Sequence, residues 1–149
     1  MPNYNFIITN TNNQTFIFDE IRKKHIKLTP EEWVRQNFIK FLINEKNFNP
    51  LYIAVEKEIT VLNIKKRFDI VIYSPDIKPV ILIECKAPDV KLTQSVFNQI
   101  AAYNISLKVD YLIVTNGIAH YCCLIDYNKK SYEFLNYIPE YSIFKTKKK

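Results

Sequence analysis

The chain has 149 residues, a formal net charge of +6 and one glycine, Gly117. That length suits one domain and leaves no room within it for a translocating motor. A lone glycine excludes a GxxxxGK[ST] phosphate loop and a GxGxxG dinucleotide turn, which need several. With 48% hydrophobic and 24% charged residues the chain can bury a core and is not a disordered tail. Lysine supplies 18 of the 21 basic residues, amid many Ile, Asn, Tyr and Phe. AT-rich codon usage accounts for that bias, so the charge argues for nucleic acid only softly.

Three cysteines, Cys85, Cys122 and Cys123, form no CxxC pair. The polar, Asn-rich start reads as no secretory leader, so a reducing cytoplasm is expected. No apolar run approaches the roughly 18 residues of a membrane span, and no membrane partner is expected.

Residues 1–28 read as an irregular, Asn-rich extension in which Thr15 to Phe18 form a short strand. Thr29-Pro30-Glu31-Glu32 is a helix start: Thr29 caps, Pro30 fits the first turn and Glu32 completes a capping box. Val34, Phe38, Phe41 and Leu42 continue at helical spacing to about Glu45, and Asn47 to Pro50 end the helix. Strands follow at Tyr52–Val61, Arg67–Tyr73 and Val80–Cys85. The last is a nearly unbroken apolar run, as for a strand buried on both faces. A second helix spans about Thr93–Leu107. Tyr111–Thr115 is another buried strand, Asn116-Gly117 turns the chain, and Ala119–Ile125 with Tyr132–Leu135 form a hairpin around Asn128. The order αβββαβ implies a mixed α/β sheet with helices packed on it. The expected divisions are an extension at 1–28, the main domain at 29–140 and a basic, solvated tail at 141–149.

Charge inside the apolar strands is the informative anomaly. Glu84 and Lys86 are two apart at the end of Val80–Cys85 and share one face, while Cys85 points into packing. Asp69 interrupts the preceding strand between Phe68 and Ile70, where Asp is disfavoured. If Asp69 faces Glu84, opposed residues sum to 153 and the hairpin tip falls between Asp76 and Ile77, inside Ser74-Pro75-Asp76-Ile77-Lys78-Pro79. Two carboxylates so close repel unless neutralised. Mg²⁺ or Mn²⁺ on Asp69, Glu84 and the Cys85 backbone carbonyl would do so, with Lys86 placed to stabilise phosphate charge or orient water. A buried salt bridge of Asp69 or Glu84 with Lys86 is the competing reading, and the residues alone leave both open. Gln99 and Tyr103 share a helical face, although Tyr103 alone reads equally as core. Lys65-Lys66-Arg67 suits either DNA-backbone contacts or a solvated hairpin rim. Trp33 reads as core or helix packing, and His25 and His120 have no partner at metal-ligand spacing.

Taken in order, Arg67-Phe68-Asp69, Ile83-Glu84-Cys85-Lys86-Ala87-Pro88 and Gln99-x-x-x-Tyr103 resemble a PD-(D/E)xK nuclease of the restriction-endonuclease fold. More narrowly, the set resembles the N-terminal nuclease domain of type I restriction enzyme R subunits. Leu28 to Gln36 is similar to that group's first helix, as Val114-Thr115-Asn116-Gly117 is to its later turn. The resemblance implies a metal-dependent deoxyribonuclease of a restriction system, with Asp69 and Glu84 as metal carboxylates and Lys86 as the catalytic lysine. It also implies Gln99 and Tyr103 as positioning residues and a first-helix glutamate, assigned to Glu31 because Glu32 is accounted for by capping. The implied partners are DNA and helicase, translocase or methyltransferase subunits. The alternative is a nucleic-acid-binding or protein-interaction module that keeps the fold without cutting.

Overall fold

The computed structural model describes residues 3–61, 63–104, 108–126 and 128–145, without the side chains of Val61, Ile64, Gln99, Ala102, Tyr103, Asn104 and Lys145. Three short antiparallel strands come first: β1 (Ile8–Thr11), β2 (Gln14–Asp19) and β3 (Lys24–Lys27). The strand expected at Thr15–Phe18 is present within β2, and the rest of the stretch, expected to be irregular, adds β1 and β3 to form a small sheet. Its first turn is Asn12-Asn13, both in the left-handed region (φ 51 and 62), which is the conformation a two-residue hairpin requires.

Helix α1 spans Pro30–Lys46, capped by the Thr29 hydroxyl, which accepts the Glu32 N–H at 3.0 Å. Asn47, at φ 62, ends it. The main sheet follows: β4 (Ile53–Val61), β5 (Ile64–Tyr73), β6 (Pro79–Cys85), then helix α2 (Gln94–Asn104), β7 (Tyr111–Thr115), β8 (His120–Asp126) and β9 (Ser131–Leu135). The strands lie in sequence order, and every neighbouring pair is antiparallel except β6–β7, which is parallel across the α2 crossover. The expected αβββαβ order is present, extended by the β8–β9 hairpin.

Both faces of this sheet are covered. Ile81, Ile83 and Cys85 pack with Val34, Phe38 and Leu42 of α1, whereas Leu82 packs with Phe97 and Ala101 of α2. Residues one step apart thus enter different cores, so the central strands must be apolar throughout. The C-terminal end also departs from expectation. Tyr141 and Phe144 are buried in the α1-side core, and Ser142–Lys145 forms a helical turn, α3. Only 146–149 of the expected tail lies outside the described residues. Among the described residues no helix is long and apolar enough to cross a membrane.

Candidate active site

Strands β5 and β6 pair as Ile70↔Ile83, Val71↔Leu82 and Ile72↔Ile81, each summing to 153. The pairing inferred from Asp69 and Glu84 is thus the observed register. A shift follows at Tyr73↔Pro79, where the strands bend into the Ser74–Lys78 turn.

At the other end the ladder stops at Ile70↔Ile83, and the next residues are Asp69 and Glu84. On the opposite flank β4 pairs Val55↔Ile70 and Lys57↔Phe68 but skips Glu56, whose backbone is left-handed (φ 53). Phe68 and Val71, three apart, both enter the α2-side core, so the pleat is broken across Asp69. The sheet opens there, and the Asp69 carboxylate fills the gap. Its Oδ2 accepts the Cys85 N–H at 2.7 Å, and its Oδ1 accepts Arg35 Nη1 at 3.4 Å.

Glu84 has the opposite surroundings. Its Oε1 is buried with no hydrogen-bond donor among the described groups. Burial pushes its carboxyl up to about 8, and the adjacent Asp69 adds to this through its charge and through a hydrogen bond that only protonated Glu84 can donate. Lys66 and Lys86 pull the other way and do not prevail. Lys86 forms no ion pair within 4 Å among the described residues, so the salt-bridge reading with Lys86 is not what the structure adopts. The Lys86 N–H donates to the Thr115 carbonyl at 2.8 Å, continuing the β6–β7 pairing past Cys85 and fixing the strand end that carries both charges. Beyond it, buried Asn116 donates to the Val90 carbonyl at 2.9 Å and so ties down the loop after the motif. Gly117 (φ +87) lets this turn meet α1, since a Cβ there would lie 3.3 Å from Val34 Cγ2.

Glu31 stands at the mouth of a surface depression that it shares with Arg35, Glu56, Ala87 and Asp89. Desolvation raises its pKa first and Asp69 second, while Lys86 and Arg35 oppose the rise, so Glu31 shares the field of the site. Gln99 and Tyr103 both lie on α2, but their side chains fall outside the described ones. Trp33 is 39% exposed with its edge against Phe6, a surface packing and not core. His120 is half-buried against Phe38 and Phe41, with Nδ1 2.6 Å from Thr115 Oγ1.

The capping box needs correction. Thr29 caps, but the Glu32 carboxylate turns inward, 4% exposed, to Arg35 Nε (3.1 Å), Gln36 Nε2 (2.9 Å) and Arg22 Nη2 (2.9 Å). Arg35 also reaches Glu56 at 3.2 Å, and Arg22 pairs with Asp19. Burial opposes the Arg35 charge, but hydrogen bonding to Glu32, together with the charges of Glu32, Asp69 and Glu56, raises its pKa still further. Arg22, Arg35 and Glu56 did not stand out in the sequence. The available signal was a glutamate and an arginine at i, i+3 near a helix start, a spacing that surface pairs use equally.

Among the described residues no three His, Cys, Asp or Glu side chains are grouped as a ready metal cage. Mg²⁺ does not require one, since it keeps several waters and binds through one or two carboxylates. Asp69 with the donor-less Glu84 fits that requirement.

A family model described as type I restriction enzyme R protein N terminus matches residues 30–139. The fold is similar to a solved structure described as an HsdR-subunit fragment of a type I restriction enzyme from Vibrio vulnificus YJ016, at 20% identity and a TM-score of 0.53. The match covers 78% of this chain and 24% of that one, so the chain spans about a quarter of the other's length. No curated protein matches.

Proposed function

Since this chain belongs to the family of type I restriction enzyme R protein N termini, we propose that it is a metal-dependent nuclease domain hydrolysing DNA phosphodiester bonds at the corner formed by Asp69, Glu84 and Lys86. One observation carries this reading. Glu84 is half-buried beside Asp69, its buried Oε1 has no donor among the described groups, and the Lys86 amine forms no ion pair among the described residues. Structural carboxylates in protein interiors are hydrogen-bonded or paired, so a buried carboxylate oxygen left without a donor beside a second carboxylate supports a cation-binding role.

Asp69 and Glu84 would hold Mg²⁺ or Mn²⁺, with the Cys85 carbonyl as a neutral third ligand. Bound there, the ion would supply Lewis-acid activation of water and neutralisation of phosphate charge. Asp69 is oriented for this by the Cys85 N–H and Arg35. Lys86 stabilises charge developing on the scissile phosphate or aligns the attacking water. Glu31, at the mouth, orients water or substrate from α1, and Gln99 and Tyr103 position DNA from α2. No covalent enzyme intermediate is needed. A motor or methyltransferase partner would present the DNA in a restriction complex.

Supercoiled DNA with and without Mg²⁺ or Mn²⁺ is the test. Metal-dependent nicking or cleavage is expected, and Asp69→Ala and Lys86→Ala should each abolish it. Full cleavage by both variants overturns the assignment. Steeply salt-dependent DNA binding with no cleavage under any metal would replace it with a non-cutting binding module.

A further inference from the structure

Resting on that reading, we infer that Arg35 is a positioning residue for the Asp69 carboxylate, and that the N-terminal sheet braces it through Arg22 and Asp19. Arg35 is 7% exposed, and its guanidinium is taken up by the carboxylates of Glu32, Glu56 and Asp69. Its guanidinium is a rigid fork. Nε and Nη2 grip Glu32, Nη2 also meets Glu56, and Nη1 points at Asp69 Oδ1. Asp69 lies where the sheet ladder has stopped on one side and skips Glu56 on the other. Backbone pairing therefore cannot set the angle of its carboxylate; the Cys85 N–H and Arg35 do so.

Glu32 is in turn held from outside α1. Arg22 Nη2 donates to it at 2.9 Å. Arg22 is itself locked by Asp19, which is fully buried and also accepts the N–H groups of Ile21 and Arg22 at 2.7 and 3.0 Å. Asp19 ends β2, and both it and Arg22 precede the family-matched span of 30–139. The extension that the sequence sets apart at 1–28 is thus part of the support of the site. Partners that orient a metal-binding side chain commonly change metal affinity by about 10–100-fold when lost.

Arg35→Lys keeps the charge and removes the fork, so it separates geometry from electrostatics. Mn²⁺ titration calorimetry on the full chain, below the melting temperature of each protein, should show binding weakened about tenfold or more. Cleavage should lose kcat while KM for DNA stays within about twofold, a split that general loosening of the fold would not produce. Arg22→Lys, which leaves every Asp69 contact in place, should weaken Mn²⁺ by about threefold; it carries the test alone if Arg35→Lys does not fold. Wild-type protein that binds Mn²⁺, with folded variants that bind it equally well, overturns this inference only. Wild-type protein that binds no Mn²⁺ overturns the nuclease reading and the inference with it.

Discussion

Two buried acidic regions meet at the open end of the β5–β6 hairpin, and they are built on opposite terms. On the α1 side Glu32 receives donors from Arg22, Arg35 and Gln36, and Asp19 from Arg22 and two backbone N–H groups. On the other side Glu84 keeps an oxygen with no donor and is pressed against Asp69. The first region is saturated and holds the fold together. The second is deficient, and the proposed cation would make up that deficiency. Asp69 belongs to both, gripped by the scaffold and facing the deficient carboxylate.

Substitutions can separate the two regions. The largest loss of stability should come from Glu32→Ala, which removes the buried carboxylate that Arg22 and Arg35 share. About 3–5 kcal/mol is expected from urea unfolding, as for other broken buried ion pairs. An effect under ~1 kcal/mol would make the α1-side network a surface feature. Glu84→Gln should do the reverse, because the amide can donate to Asp69 where ionised Glu84 cannot. Glu84 titrates near 8 in the fold against 4.5 ordinarily, so ionisation is disfavoured in the native state. Metal-free stability should fall as pH rises from about 4.5 to 8 and level off above that. At pH 8 the variant should gain about 2 kcal/mol, or roughly 4–8 °C in Tm, with little gain at pH 4.5 and no cleavage activity. An equal gain at both pH values would detach the effect from Glu84 ionisation. Glu31→Gln, at the exposed mouth, should cost about tenfold in cleavage rate with Tm unchanged within ~1 °C. Full activity would remove Glu31 from the site.

Much of this arrangement was legible before any coordinates. Supposing that Asp69 faces Glu84 put the hairpin tip inside Ser74-Pro75-Asp76-Ile77-Lys78-Pro79, and the turn residues there agree with that register, which the strands keep from Ile70↔Ile83 to Ile72↔Ile81. Helix α1 was equally plain, since Thr29-Pro30 is a local signal. What escaped was non-local. Arg35 and Glu32 look like an ordinary first-turn pair until β2 and β5 bring Asp19, Arg22 and Asp69 to them. Of the β1–β3 sheet only the β2 segment Thr15–Phe18 was legible; β1 escaped because it is exposed along its whole length and so shows no apolar alternation. Tyr141 and Phe144 were hidden by the lysines after them, which drew the whole segment into a solvated tail.

Glycine scarcity has a practical consequence. Nine described residues other than glycine hold left-handed backbone. Asparagine tolerates this, but Ile77 is β-branched, sits at φ 62 on the hairpin tip and is 65% exposed. A left-handed L-residue carries about 1–2 kcal/mol of steric cost, and here no packing compensates it. The far tip of the β5–β6 hairpin is therefore a place where thermal tolerance can be engineered by a single Ile77→Gly exchange. Glu56, equally left-handed, is no such place, because its carboxylate is bound to Arg35. One strained residue is open to improvement, and the other is committed to the ion pairs beside it.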